Sequence, residues 1–233
     1  MPDSRDKAKR KRRWFRFSLK TFLVLVTLFC VLMAFLSALV YRVNKQREAV
    51  QWVQDHGGSV YYDFEWNEKE LWLASDRRPP GPDWLRELIG IDYFADVVFV
   101  CGLSRQIEDI RPLREFSKLQ MLELLGTQVS DLRPLRELTK LKVVRLKGNP
   151  ISDLEPLSKL PRLHFIDLEG AQVSDLEPLR EMTQLRKLDL RYTQVTDLSP
   201  LTEMKNVTIY LDEKQQLTIP EELEDRVMRL PSL

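Results

Sequence analysis

Residues 119–138 read LQMLELLGTQVSDLRPLREL, and this arrangement of apolar and polar residues returns along the chain at a constant spacing. The apolar residues keep the same register from copy to copy, although the first copy is looser, with Gly102 at the position of Leu124. The most regular part, D-[IL]-x-P-L, begins every 22 residues, at Asp109, Asp131, Asp153, Asp175 and Asp197. Self-similarity at a fixed period of this length is typical of units that stack side by side. The sequence therefore predicts a solenoid.

Within each copy, the spacing of the apolar side chains changes from that of a strand to that of a helix. Leu122 and Leu124 are two residues apart, so a strand would point both of them inward. From Asp131 onward the spacing is helical, with an aspartate that can cap the first turn and a proline that this turn tolerates. One unit cannot bury its own leucines, but stacked copies can. We therefore expect parallel strands about 4.8 Å apart.

The full pattern, L-x-x-L-x-L-x-x-[NT]-x-[VI]-S-D-L-x-P-L-x-x-L, resembles the leucine-rich repeat, in the 22-residue class of internalin-like bacterial proteins. The resemblance covers about residues 97–206, as five repeats with a cap on each side. It implies an α/β solenoid, an arc that carries its parallel strands on the concave face. The family's asparagine after the strand occurs only at Asn149. Because Ala171 has no polar group at the equivalent position, we expect a looser loop or a buried water there.

A membrane anchor is predicted at residues 21–41, TFLVLVTLFCVLMAFLSALVY, which carry no formal charge. As a helix this run would span about 31 Å, close to the roughly 30 Å of a hydrocarbon core. A cleaved signal peptide is the alternative; its apolar region has about 7–15 residues before a small-residue cleavage site. Here the run is longer, and Leu36 stands where a small residue is needed. We therefore predict an uncleaved, single-pass signal-anchor, the chain's contact with the membrane.

Charge predicts the orientation of this anchor. Residues 1–20 hold nine Lys and Arg and two Asp, whereas the other 213 residues hold 27 Lys and Arg and 33 Asp and Glu. The side with the excess of Lys and Arg stays in the cytoplasm. We therefore expect a basic cytoplasmic tail over 1–20 and a repeat domain outside the cytoplasm, at the cell membrane. The mildly acidic remainder does not indicate a nucleic-acid partner.

Residues 42–96 are predicted to form a linker helix and an N-terminal cap. Helical spacing over 42–55 ends at Gly57-Gly58, SVYYDFEW at 59–66 alternates like a strand, and a short helix follows the loop at 77–82. Five aromatic residues are interpreted as parts of the cap, with an aromatic platform for sugar or peptide as the alternative: Tyr61, Tyr62, Trp66, Trp72 and Trp84. Residues 207–233 are expected to form a degenerate repeat and a C-terminal cap.

The sequence contains no phosphate-binding glycine loop, G-x-S-x-G, H-E-x-x-H or C-x-x-C motif. His56 and His164 are isolated, and the repeated aspartates are explained by the turns that they cap. We therefore predict a protein that is not an enzyme, with no cofactor, no metal site and no small-molecule substrate.

Two columns of side chains should face outward from the concave side of the strands. The middle residue of L-x-x-L gives Phe99, Met121, Val143, Phe165, Lys187 and Ile209. The residue inside L-x-L gives Cys101, Glu123, Arg145, Asp167, Asp189 and Leu211. An apolar column rimmed by charge is typical of a partner site. The alternative is strand preference together with lateral ion-pair ladders along Glu123–Arg145–Asp167 and Lys147–Glu169–Arg191.

These patterns predict a non-enzymatic interaction module that displays its repeats to an unidentified protein or peptide. The predicted protein-binding residues are Phe99, Met121, Glu123, Val143, Arg145, Phe165, Asp167, Lys187 and Asp189. The alternative is a structural or regulatory subunit of a membrane complex, in which the arc binds a membrane neighbour.

Overall fold

The computed structural model describes residues 19–67, 72–73, 78–215 and 217–231. It divides into two units, residues 1–41 and 42–233. Its helices are α1 (Leu19–Asp55), α2 (Asp83–Ile89) and α3 (Glu155–Ser158). Its strands are β1 (Ser59–Tyr62), β2 (Trp66–Asn67), β3 (Trp72–Leu73), β4 (Val97–Cys101), β5 (Met121–Glu123), β6 (Val143–Arg145), β7 (Phe165–Asp167), β8 (Lys187–Asp189), β9 (Thr208–Asp212) and β10 (Val227–Leu230). Short 3₁₀ turns lie at 91–93, 111–115, 133–135, 177–179, 199–201 and 221–226.

The first unit contains the apolar part of α1. Among the described residues, α1 is the one helix long and apolar enough to cross a membrane. Its large side chains are exposed, with Phe22 at 57% and Phe35 at 66%. A helix of this kind near an N-terminus is either a membrane anchor or a signal sequence. The predicted basic tail lies outside the described residues, apart from its last two positions.

The second unit begins with the last part of α1, which packs against the first repeat. Ala49, Val50 and Val53 are buried in the same apolar core as Val97 and Val100 of β4. This segment, predicted as a linker helix, is therefore itself part of the cap that covers the end of the solenoid. The helix stops as predicted, because Gly57 has φ 77° and the N–H of Gly58 donates to the carbonyl of Val53 at 2.9 Å.

The repeats build an eight-stranded sheet in the order β1-β4-β5-β6-β7-β8-β9-β10. Neighbours from β4 to β10 are parallel, as predicted, and β1 lies antiparallel to β4 at the edge. The register advances by one repeat per strand, so that Met121 faces Val143 and Val143 faces Phe165. Stacking of equal units therefore holds from the first repeat to the fifth.

Strand β1 is shorter than the alternation over 59–66 predicts. It ends at Tyr62, and residues 63–65 form a turn in which the N–H of Glu65 donates to the carbonyl of Tyr62. The chain then enters β2, which pairs with β3 in a separate small sheet. Phe64 in the turn is half-buried, so the alternation of apolar and polar residues continues beyond the end of the strand. For this reason the sequence pattern predicted a longer strand. The predicted short helix after the loop is α2.

The leucine core matches the predicted register. Leu122, Leu124 and Leu168 are 0% exposed, and every predicted inward position from residue 119 to residue 204 is buried. Below the strands, each repeated aspartate caps the next turn by accepting the backbone N–H two residues ahead, at 2.8–2.9 Å. The predicted capping role of these aspartates is confirmed.

The sixth unit departs from the predicted register by one residue. Thr208 pairs with Lys187 and Ile209 with Leu188, so Ile209 and Leu211 are buried in the core. Their predicted places on the concave face are wrong, and the half-buried Tyr210 takes the position opposite Asp189 instead. The reason is that one residue, rather than two, separates Val207 from the next core position.

The loops after the strands stay regular where the family asparagine is missing. Asn149 is buried, and its amide donates to the carbonyls of Leu124 at 2.7 Å and Leu146 at 2.8 Å. At Ala171 the backbone N–H donates to the carbonyl of Leu168 at 2.9 Å. Gly148 and Gly170 both have φ 70°, so the two loops share one backbone conformation. The looser loop expected at Ala171 does not occur.

Candidate functional site

The concave face is the face of the sheet that points away from the leucine core. Cross-strand register aligns Phe99, Met121, Val143, Phe165 and Lys187 in one column. It aligns Glu123, Arg145, Asp167 and Asp189 in the next. All nine predicted binding residues therefore lie in two adjacent columns. Sequence reasoning missed Thr208 and Tyr210, which extend them, and counting residues after Val207 could have found both.

The first strands carry an apolar cluster on this face. Val98, Met121 and Val143 are 2%, 7% and 5% exposed, and Phe99 and Phe165 pack against them. Tyr61 of β1 stacks on Phe99, with ring centroids 5.2 Å apart. Met121, expected to face solvent, is therefore mostly covered, because neighbouring apolar side chains in the column shield one another.

The charged column is held by ion pairs across the strands. An Nη atom of Arg145 lies 3.1 Å from a carboxylate oxygen of Glu123, as the first ladder predicts. The guanidinium then lies 5.9 Å from the ring centroid of Phe165 instead of pairing with Asp167. This ladder is therefore half formed.

The second ladder is complete. Glu169 accepts from Lys147 and from Arg191, at 2.7 Å each. Arg191 also bonds to Asp189, at 2.6 Å. Side chains of Glu169 and Arg191 are mostly buried at this position, so the network is partly shielded from solvent.

Asp167 is the carboxylate of these two ladders that forms no ion pair with a described residue. It accepts the backbone N–H of Glu169 at 3.1 Å, and no Lys or Arg nitrogen of the described chain lies within 4.0 Å of it. Burial raises the pKa of the Asp167 carboxyl, and the charges of Asp189 and Glu169 raise it further. A half-buried carboxylate beside the Phe165 ring is therefore placed to accept a cationic group from another molecule.

Asp167, Glu169 and Asp189 are also the group of described residues that could hold a metal ion, since their oxygens lie within 4.8 Å of one another. Arg191 and Lys147 already bond to two of these carboxylates. A divalent ion would have to displace those cations before it could gather the oxygen ligands that it needs. We therefore assign no metal to this cluster.

The remaining candidates lie away from the face or outside the described side chains. The ring Nδ1 of His56 is 2.7 Å from the carbonyl oxygen of Trp52 at the end of α1, and His164 precedes β7. Trp84 is 66% exposed on α2. The side chains of Trp66 and Trp72, two of the five aromatic residues interpreted as parts of the cap, lie outside the described residues.

A family model described as leucine rich repeats (2 copies) matches residues 139–181. An internalin, InlF, from Listeria monocytogenes has a similar crystal structure, with a TM-score of 0.50 and 28% identity over 55% of this chain and 39% of that chain. Strands β4 to β9 and the turns between them have the leucine-rich repeat fold, similar to that of this internalin. A repeat domain of this type indicates protein–protein interaction.

Other solved leucine-rich repeat proteins are similar over part of the chain. Internalin C2 from Listeria monocytogenes has a TM-score of 0.49 and 26% identity, over 61% of this chain and 74% of that chain. The Leptospira interrogans protein LIC12759 has a TM-score of 0.41 and 19% identity, over 47% of this chain and 30% of that chain. This chain spans about two fifths of the InlF chain that it matches. A search of curated proteins finds no match.

Proposed function

We propose that this protein is a single-pass membrane protein that displays its leucine-rich repeat domain outside the cytoplasm and binds a protein or peptide on the concave face. Its role is binding rather than catalysis. The residues that carry it are Phe99, Met121, Glu123, Val143, Arg145, Phe165, Asp167, Lys187 and Asp189.

The observation that carries this proposal is that Phe165 and Asp167 lie on the same face of one strand, β7. The ring is half-buried, and the carboxylate lacks a cation within the described chain. A partner segment with an apolar side chain and a Lys or Arg would cover the ring and neutralise the carboxylate together. Neutralisation would also relieve the repulsion from Asp189, which lies directly opposite in the sheet.

A binding role agrees with the ion pairs that the other carboxylates of the concave face form. Glu123, Glu169 and Asp189 are each bonded to an Arg, so they are held in place as parts of a fixed surface. Fixed, partly buried ion pairs set specificity and register for a partner. The apolar run of α1, with its exposed side chains, supports the proposed anchor.

Affinity co-purification from mild detergent extracts tests the binding role. We compare the full chain with Phe165→Glu/Asp167→Lys and with the control Arg136→Glu/Lys159→Asp, whose exposed residues lie outside the sheet. A partner retained by the wild type and the control, and lost with the concave-face variant, is the expected result. Retention by all three proteins would place the interaction elsewhere, as in a subunit held through another surface.

Labelling of single cysteines tests the proposed topology. A membrane-impermeant maleimide added to intact cells should label Ser174→Cys and should not label Ser4→Cys, in a chain without its two native cysteines. The reverse pattern, or a mature protein without its first forty residues, would contradict the anchor and its orientation.

A further inference from the structure

The edge of the sheet at which the parallel strands begin, called here the amino edge, is basic. The four residues before each of strands β5 to β9 contain no Asp or Glu. They contain six cationic residues, Lys118, Lys140, Lys142, Arg162, Arg186 and Lys205. Since the strands are parallel and in register, these side chains follow one another along a single edge of the repeat domain.

Most of this charge is not neutralised by the domain itself. Lys118, Lys140, Arg162 and Arg186 form no ion pair with any residue that the structure describes. The first three line a groove of about 370 Å³. Asp63 and Asp96 also line this groove, and Arg42 bonds to the carboxylate of Asp96. Lysines and arginines still outnumber these two carboxylates in the lining. The amino edge therefore presents a net positive surface to solvent.

The chain enters the repeat domain at this same edge. Arg42 bonds to Asp96, the residue directly before β4, whereas the carbonyl of His56 accepts from the N–H of Ser104, beyond the end of β4. Residues 42–56 thus run alongside β4 from its beginning to its end. In the sequence, Arg42 directly follows Tyr41, the last residue of the apolar run.

A second feature lies close to this entry point. Trp84 and Leu88 are one helical turn apart on α2, and they are 66% and 74% exposed. The guanidinium of Arg47 donates to the carbonyl of Ile89 at the end of α2, at 2.5 Å. An exposed Trp–Leu pair beside arginines suits the interfacial layer of a membrane, where aromatic rings and cations both bind.

We propose that the amino edge, together with Trp84 and Leu88, is a docking surface for anionic lipid headgroups. The proposal rests on the proposed function, because the anchor brings the surface to a bilayer. Each Lys or Arg near an anionic surface favours the bound state about fivefold, so four such residues have a large combined effect. The concave face remains available to a protein partner, since its columns begin after these residues.

The test uses the full chain in lipid nanodiscs of phosphatidylcholine with and without phosphatidylglycerol. A fluorophore is attached at Ser117→Cys on the amino edge or at Ser174→Cys in a loop away from it, in a Cys30→Ser/Cys101→Ser background. Nitroxide-labelled headgroups quench a fluorophore that lies at the membrane surface. We expect stronger quenching at position 117 than at 174, and an increase at 117 when phosphatidylglycerol is present.

Matched variants assign the effect to the edge. Reversal to Glu of Lys118, Lys140, Arg162 and Arg186 should reduce quenching at 117 to the level at 174. Reversal of four exposed cations elsewhere, Arg105, Arg136, Lys159 and Lys214, changes the net charge equally and should leave quenching unchanged. Thermal unfolding confirms that each variant is folded.

The outcomes separate this inference from the anchor. A chain that alkaline carbonate strips from the discs would overturn both the anchor and the docking surface. A chain that stays embedded but shows equal quenching at the two positions would overturn the docking surface alone. Quenching at position 117 that does not change when phosphatidylglycerol is added would also overturn the docking surface. The basic groove would then be better explained as a site for an acidic segment of a protein.

Discussion

The two faces of the same short strands differ sharply in how strictly they repeat. Leu122, Leu188 and their equivalents between them are fully buried and always aliphatic. One residue earlier in each strand, the concave column changes from Met121 through Phe165 to the exposed Lys187. Stacking constrains the core side because each leucine packs against its own copies. The other side is free to vary, and for this reason we propose that it is the side that selects the partner.

Truncation of the core should have the largest effect. Leu168→Ala removes a side chain that is 0% exposed, so we expect unfolding to become easier by about 2–5 kcal/mol. Chemical denaturation measures this change. Lys187→Ala, on the exposed side of the next strand, should stay within about 0.5 kcal/mol. Equal effects at the two positions would remove the distinction between the faces.

Charge on the concave face should separate covered positions from open ones. Met121→Glu places a carboxylate where the side chain is 7% exposed among apolar neighbours, so a loss of about 2–3 kcal/mol is expected. Phe165→Glu should cost about 1 kcal/mol or less, because Phe165 is half-buried at the end of the cluster. Thermal unfolding ranks the two variants, and the opposite order would show that the apolar cluster is misassigned.

The loops after the strands allow a finer test of regularity. Asn149→Ala removes the donors to the carbonyls of Leu124 and Leu146, and we expect a cost of about 1–3 kcal/mol for these buried groups. Thr193→Ala removes one bond, from its hydroxyl to the carbonyl of Leu190, and should cost about 0.5–1.5 kcal/mol. Urea titration compares the two. A neutral Asn149→Ala would mean that the backbone alone holds these loops.

The smallest effect should have the opposite sign. Asp167→Asn removes a partly buried charge opposite Asp189, so at pH 7 we expect a gain of a few tenths of a kcal/mol, after solvent screening. The pKa of Asp167 is raised above 3.8, so the charged form is penalised in the folded protein at pH values above that pKa. The gain should therefore fade as the pH falls toward 3.8. A variant less stable than the wild type at pH 7 would show that a cation pairs with Asp167.

The core was predictable from the sequence because identical spacing forces identical burial. Leu168 lies in the same core as Leu146, its equivalent one repeat earlier. The burial pattern of a single repeat therefore predicts the burial pattern of all the regular repeats. The prediction for the sixth unit was wrong because this unit has one residue fewer before Ile209, and a shift of one residue exchanges the two faces of a strand. Local alternation could not show that the chain turns after Tyr62, since Phe64 in the turn is half-buried as it would be in a strand, and Asp63 before it is exposed.

In the five regular repeats the residues of the concave face were predictable from the sequence, but the ion pairs among them were predictable only in part. Register alone places Arg145 between Glu123 and Asp167. Which of its neighbours the guanidinium contacts depends on side-chain rotamers, and it contacts Glu123 and the Phe165 ring. The unpaired state of Asp167, on which the proposed partner chemistry depends, is therefore visible only in three dimensions.

Site-specific photo-crosslinking in native membranes tests most directly whether the variable face is the binding face. A photoreactive residue replaces Phe165 or Lys187 on the concave face, or Arg136 on the turn outside the sheet. We predict a discrete crosslinked protein from positions 165 and 187, absent from position 136 and lost when Asp167→Lys is added. A product that forms equally from position 136, or that survives Asp167→Lys, would contradict a partner site on the concave face.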